Sequence, residues 1–520
     1  MSGPHLDRAL LKALAVLALV SSSGAALADP PALVGRVTVA NGPVSVAGGG
    51  AEEAGGNLVN WPISNDSHVT TASGASAELR VGSATVRLDG DSELDVVELD
   101  DDSFRLRLNY GSVSVRIRNP DMLRGFELVT AQVRVTLPLP GKVRVDTERV
   151  ADTSVVGVSE GEAQVGGTGT GLTVRAGRRA ELHDDDVRTG ALQLDAFDNW
   201  PETPDVAGTA LRYVGDDVTG YEQLDQNGSW SVDDDYGPVW QPSAVPADWI
   251  PYRDGRWVWV APWGWTWVDD LPWAYAPSHY GRWFLRNRHW CWAPGVARGR
   301  PVWAPALVGW VGGDQWQAGF GAGGPQPAVG WYPLTPRARF VPAYRVSAVY
   351  EQRINAAHDA RWGARADETA RVERRDGLTV LPHAQFTGHT TLAVMQAPRA
   401  VVTASQWRAA PTAVAPAPIV RPPAYERPVE PRRGGAYDVR QATPAPTLAP
   451  RQPPSQQAQQ MQQMQQAQQQ QLRPLQHVPP MPQGVPRPAS PPQTAPRPQP
   501  EAKEVHREAG RDVHGEERKP

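Results

Sequence analysis

Phe104-Arg105-Leu106-Arg107-Leu108 and, four residues on, Val113-Ser114-Val115-Arg116-Ile117-Arg118 decide how this chain folds. Each run alternates an apolar side chain with a polar one, the period that puts all apolar groups on one face of an extended strand. The same alternation appears upstream, where Ala77, Leu79 and Val81 flank Glu78 and Arg80. It appears again downstream in Val133-Arg134-Val135-Thr136-Leu137 and Val143-Arg144-Val145. Between the runs stand turn residues, as in Asn109-Tyr110-Gly111 and Pro138-Leu139-Pro140-Gly141. Many short strands separated by turns predict an all-β sandwich, roll or solenoid-like stack over residues 35–183.

Working outward, the N-terminus reads as an export signal. His5, Arg8 and Lys12 precede the apolar run Ala13-Leu14-Ala15-Val16-Leu17-Ala18-Leu19-Val20, and Ala26-Leu27-Ala28 supplies small residues for cleavage before Asp29. Residues 1–28 are therefore expected to be removed. The run is shorter than the roughly 20 residues a membrane span needs, so no stable span is expected after cleavage, and the expected location is periplasmic or secreted. A net charge of −5, from 51 basic and 56 acidic residues, argues against a nucleic-acid partner. The single cysteine, Cys291, excludes an intramolecular disulfide and a multi-cysteine zinc site.

Five landmarks occur in order through the β region: Asn60-Trp61-Pro62-Ile63, Ala77-Glu78-Leu79-Arg80-Val81, Leu108-Asn109-Tyr110-Gly111-Ser112-Val113, Phe126-Glu127-Leu128-Val129-Thr130 and Val158-Ser159-Glu160-Gly161-Glu162-Ala163. Together they resemble the FecR-type periplasmic domain. The resemblance implies an extracytoplasmic β scaffold that meets a protein partner. FecR itself also controls a sigma factor through a segment on the inner side of the membrane. Here only a dozen residues precede the apolar run, so the expectation is restricted to the outer scaffold.

After a stretch at 184–227 that reads as a linker, residues 228–331 hold 16 of the 20 tryptophans. Gly228-Ser229-Trp230 recurs as Gly255-Arg256-Trp257 and Gly281-Arg282-Trp283, at offsets of 27 and 26. Each is followed by a second Trp element: Trp240, then Trp263-Gly264-Trp265-Thr266-Trp267, then Trp290-Cys291-Trp292. The period predicts a repeat of β-hairpins. The block resembles a tryptophan-rich bacterial domain of unknown function, and the resemblance runs through Gly330-Trp331-Tyr332-Pro333-Leu334 to about residue 390. Trp257 with Trp259, and Trp263 with Trp265 and Trp267, are expected to form rows. Rows on opposite faces of so small a unit are hard to bury together, so a Trp/Arg surface is expected from Trp257, Trp259, Trp263, Trp265, Trp267, Arg256, Arg282, Trp283, Trp290 and Trp292. From about residue 411 the Pro- and Gln-rich composition predicts a disordered tail, 411–520.

Catalytic and metal patterns fail on spacing. Asp100-Asp101-Asp102, Asp184-Asp185-Asp186 and Asp233-Asp234-Asp235 are runs whose neighbours point apart, and read as turns. Asp89, Asp91, Glu93 and Asp95 would share one strand face but lack the pattern of a calcium loop. Gly166-Gly167-Thr168-Gly169-Thr170-Gly171 lacks the Lys-Ser/Thr ending of a phosphate loop and reads as a hairpin turn. The chain is thus expected to be mainly β: a FecR-like sandwich or roll, a Trp-rich hairpin module (228–390) and a tail. No enzyme activity, cofactor or metal is expected. The leading expectation is an envelope scaffold or sensor accessory with a protein partner. The alternatives are binding of cell-wall glycan and a FecR-type membrane-anchored regulator.

Overall fold

The structure is a computed structural model that describes residues 29–167, 171–183, 186–201, 208–295, 299–321, 324–363 and 377–419. The chain divides into two units, Met1–Arg427 and Pro428–Pro520. Everything described lies in the first. The expected signal residues Ala26 and Ala28, the tips Thr168–Thr170 and Asp184–Asp185, and the tail from residue 420 onward lie outside the described residues.

The alternating runs form strands of two sheets that share one long member, Ser103–Ile117. Its first half pairs with Ser92–Asp100 and, in parallel, with Phe126–Val129. Its second half pairs with Ala84–Leu88 and Gly141–Thr147. The expected turn at Asn109-Tyr110-Gly111 is therefore a crossing between sheets. Gly111, at φ +100°, bends the strand, and a Cβ there would sit 2.5 Å from the Ser92 Cα. The signals for a turn and for a kinked strand are the same residues. Leu94, Val96, Leu106, Leu108, Val113, Val115, Val143 and Val145 are all buried and fill the space between the sheets.

Of the stretch 184–227, expected as a linker, the described residues are built into the fold. Asp186–Ala191 adds a strand to Arg178–His183, and the short helical segments Thr209–Val214, Tyr221–Gln223 and Leu224–Asn227 bury Val214, Tyr221 and Leu224. Glu222 from this stretch forms a fully buried ion pair with Arg36 of the first β-strand, Gly35–Asn41. Arg36 also donates to Asn60 Oδ1 (2.7 Å) and to the Pro272 carbonyl (2.6 Å). Asn60, held at φ +65°, donates in turn to the carbonyls of Asp269 (3.0 Å) and Leu271 (2.8 Å). Thr219 Oγ1 donates to Val34 O and accepts from Gly82 N, both at 2.9 Å. The β region and the tryptophan-rich region thus share one continuous apolar core running from Val34 to Ala415. A buried ion pair is a poor source of net stability, but its geometry specifies one relative placement of the parts it joins.

The three predicted hairpins are present: Gly228–Asp233 with Gly237–Pro242, Gly255–Val260 with Gly264–Asp269, and Arg282–Arg286 with His289–Ala293. They do not stack as one sheet. The first and third join edge to edge, while the second pairs with Thr391–Ala393. A further hairpin, Val308–Gly319 with Pro325–Pro333, carries the cross-strand pair Trp310 and Trp331. The recurring Gly-x-Trp has a steric reason. A Cβ at Gly228 would lie 2.4 Å from Trp240 Cε2, one at Gly255 2.7 Å from Trp267 Cζ2, and one at Gly281 2.5 Å from Trp292 Nε1. In each hairpin the glycine leaves the space that the opposite strand's indole fills.

Candidate functional site

The hairpin register settles where the tryptophan rows go. Trp257 pairs with Trp267 and Trp259 with Trp265. Directly opposed residues of an antiparallel pair share a face, so the two rows expected on separate faces are one row. Trp310, Trp331 and Phe386 cover it. Trp257 meets Trp310 at 4.7 Å and Trp331 at 5.5 Å between ring centroids, and Phe386 meets Trp265 edge-on at 5.4 Å. The expected Trp/Arg surface is corrected accordingly. Trp257, Trp263, Trp265, Trp267, Trp283 and Trp292 are buried, as is Arg282, whereas Trp259, Trp290 and Arg256 are half-buried. Indoles packed edge-to-face bury large areas, which lets a module without disulfides hold together.

At the rim of this cluster the chain makes an arrangement the composition did not reveal. Residues 411–419, expected to begin a disordered tail, run extended across the aromatic face. Gly312 N donates to the Pro411 carbonyl (3.0 Å), and Ala413 N donates to the Trp310 carbonyl (3.1 Å). Val311 and Thr412 form an antiparallel bridge between these bonds. Further on, the Trp265 indole Nε1 donates to the Pro416 carbonyl (2.8 Å), and Ile419 N donates to Thr387 O (3.0 Å). Ala415 is buried in the groove, and Val414 points mostly outward. Beside it lies a small cavity of about 80 Å³ lined by Trp259, Trp263, Trp265, Trp310, Phe340 and Tyr344, among others. The floor is aromatic and the polar contacts reach the peptide backbone. That chemistry fits an extended, proline-containing chain, whose carbonyls stay unpaired and whose backbone is already stiff.

The titratable groups inside the module serve the core. Asp269 accepts from Trp267 Nε1 (2.9 Å) and Leu271 N (3.0 Å), yet burial pushes its pKa up to about 7. Burial also drives His279 down to about 3, leaving it neutral, with Nδ1 donating to the Ala304 carbonyl (2.7 Å) and its ring stacked on Trp303. Cys291 is buried and its thiol is pushed up by burial. Glu93 and Asp95, read as part of an acidic face, hold the Asn109 amide (2.9 Å each), and Asp95 meets the His68 ring at 2.6 Å. Asp89 and Asp91 lie before that strand begins at Ser92. Among the described residues no cluster of His, Cys, Asp or Glu could hold a metal ion, and no helix is long and apolar enough to cross a membrane.

Comparison with known proteins gives one family match. Residues 221–338 match a family described as being of unknown function, DUF6600. The match begins at Tyr221, inside the stretch read as a linker, and covers the three repeated hairpins and the fourth. No curated protein matches the chain. Two crystal structures of a proposed anti-sigma factor from Parabacteroides distasonis match at 13% and 12% identity. In each case the match covers 24% of this chain and 59% of that one, with a TM-score of 0.22. The chain thus spans somewhat less than two thirds of that protein.

Proposed function

We propose that this chain is a non-catalytic, exported protein of the bacterial envelope that acts as a protein-interaction scaffold. In this reading the tryptophan-rich half receives an extended, proline-containing peptide. The observation that supports it is the seating of residues 411–419, with backbone hydrogen bonds at Gly312 and Trp310 and an indole N–H on the Pro416 carbonyl. Backbone bonds supply affinity in such grooves, and the aromatic floor selects a stiff chain that loses little entropy on binding. The shared core, with Arg36, Glu222 and Asn60 at its junction, gives this groove a fixed position against the β region. Burial of Trp257, Trp265 and Trp267 favours this reading over glycan stacking, which needs open ring faces.

The test uses the full chain and a labelled peptide with the sequence of residues 411–419, followed by fluorescence anisotropy. The seated segment competes at an effective concentration in the millimolar range, so wild type should bind the free peptide poorly. Ala415→Arg puts a long cation where a buried methyl sits and should expel the segment, raising peptide affinity at least tenfold. Trp265→Phe in that background keeps a ring but removes the donor, and should weaken binding by roughly fivefold, the worth of a net hydrogen bond of about 1 kcal/mol. A flat anisotropy trace for Ala415→Arg up to millimolar peptide would overturn the reading.

A further inference from the structure

Among the described residues four arginines are buried: Arg36, Arg80, Arg87 and Arg282. The first three have carboxylates. Arg36 pairs with Glu222, and Arg80 and Arg87 both pair with Glu78. Arg282 has none. Its Nε donates to the Ala338 carbonyl (3.2 Å), Nη1 to the Gly281 carbonyl (2.8 Å) and Nη2 to Asn355 Oδ1 (3.1 Å), all neutral acceptors. A guanidinium has five N–H donors, so the fork is not exhausted. An isolated buried charge costs several kcal/mol unless something of opposite sign meets it. Burial also draws its pKa down to about 10, against the smaller opposing charge of Asp359.

Arg282 is also the one of the four that lines a substantial cavity. The cleft holds about 310 Å³, at the lower end of small-molecule sites, which run from roughly 300 to 1,000 Å³. Among the described residues that line it, Arg282, Arg300, Arg353 and Arg361 are the charged ones, with no Asp or Glu. The acids that serve Arg300 and Arg353, around Asp101 and Asp102, lie outside the lining. Apart from Tyr213, Tyr236, Tyr280 and His358, the rest of the wall is apolar, with Val214, Val218, Val302, Leu307, Ile354 and Trp292.

We infer that this cleft is a binding site for a small organic anion, an acyl carboxylate or alkyl phosphate whose charged head meets Arg282 and whose apolar body lies along Val218, Leu307 and Trp292. The site is separate from the peptide groove and does not depend on it. A neutral ligand of the same shape leaves Arg282 with neutral hydrogen-bond acceptors alone. An inorganic anion leaves the apolar wall wet. The two parts of the lining therefore select an amphiphile.

The test is calorimetric titration of the full chain with octanoate, octyl phosphate, octanol and inorganic phosphate, with Trp fluorescence as a second readout because Trp292 lines the site. Octanoate and octyl phosphate should bind saturably, one per chain, at least tenfold more tightly than octanol or inorganic phosphate. A preference for either head shows which anion the cleft takes. Arg282→Met should bring octanoate down to the affinity of octanol. Should that variant fail to fold, Ala357→Phe decides instead: it leaves Arg282 in place, puts a ring into the cleft that Ala357 lines and should abolish binding of every probe. Equal affinity for octanoate and octanol in wild type, no binding by either anion, or unchanged octanoate binding in a folded Arg282→Met or Ala357→Phe protein overturns the assignment.

Discussion

Replacing Gly255 by alanine separates two explanations of the repeated Gly-x-Trp. If the glycine serves only as a flexible strand end, alanine should stabilise the protein by about 0.4–1 kcal/mol, because it lowers the entropy of the unfolded chain. The structure predicts the opposite sign. Gly255 is not in the left-handed region, so alanine meets no backbone penalty, and the whole effect is contact. Its Cβ would stand 2.5 Å from the Val268 carbonyl oxygen and 2.7 Å from Trp267 Cζ2. Ordinary contact begins near 3.4 Å, so the carbonyl approach is about 0.9 Å too close. Neither neighbour yields easily: one is backbone of the paired strand, and the other is an indole that is fully buried and bonded to Asp269. Overpacking of this kind costs about 1–3 kcal/mol. Urea unfolding followed by Trp fluorescence reads the change. The cycle with Trp267→Phe sharpens it, because phenylalanine lacks Cζ2 and should recover part of the loss as a coupling of about 0.5 kcal/mol or more. A Gly255→Ala protein as stable as wild type, or more so, refutes the steric account of the repeat.

Two further outcomes follow from buried acids. Glu222→Gln strands the Arg36 charge in the core and should cost about 3–5 kcal/mol in urea unfolding. Attraction to Arg36 and Arg80 holds the Glu222 pKa below its ordinary value against the opposing effect of burial, so its stabilisation is present above the unfolded pKa and is lost as pH falls through the lower folded one. Glu222→Gln should therefore flatten part of the acid limb of the stability profile, and an unchanged limb would count against the pair. Asp269 has the opposite sign. Its folded pKa, about 7, lies above its ordinary value of 3.8, so the folded state holds the proton longer, and stability declines as pH rises from about 4 to 7. The decline amounts to about 4 kcal/mol at roughly 1.4 kcal/mol per pH unit. The wild-type profile minus that of Asp269→Asn should show this slope, and parallel profiles would exclude it.

Much of the fold was legible because local pattern and tertiary role agree. Phe104, Leu106 and Leu108 alternate in the sequence and point into one core, while Arg105 and Arg107 face away. The hairpins were legible because the Gly-x-Trp spacing records a packing contact. What stayed hidden depends on partners distant in sequence. Asn109-Tyr110-Gly111 looks like a turn until two different neighbours pair with the strand on either side of it. Residues 208–227 look like a linker because apolar groups are few and scattered among Gly, Thr and Asp, but five of them, Ala210, Val214, Val218, Tyr221 and Leu224, are buried and dock the segment.

The tryptophans show why composition alone leaves the site open. Alternation says which rings share a face of a strand. Only the register says that the rows of both strands share one face, and only the Val308–Gly319 hairpin and Phe386 say that this face is covered. Once the row is closed, the accessible chemistry shifts to its edge, where Trp265 keeps an indole N–H for a carbonyl and Trp310 keeps a backbone oxygen for an N–H. Proline-rich sequence at 411–419 reads as disorder because it lacks the apolar area to form a core of its own. It orders here because the groove asks for little burial and supplies partners for a backbone that proline has already stiffened. The same composition that predicts a tail in isolation is thus the composition an aromatic groove selects.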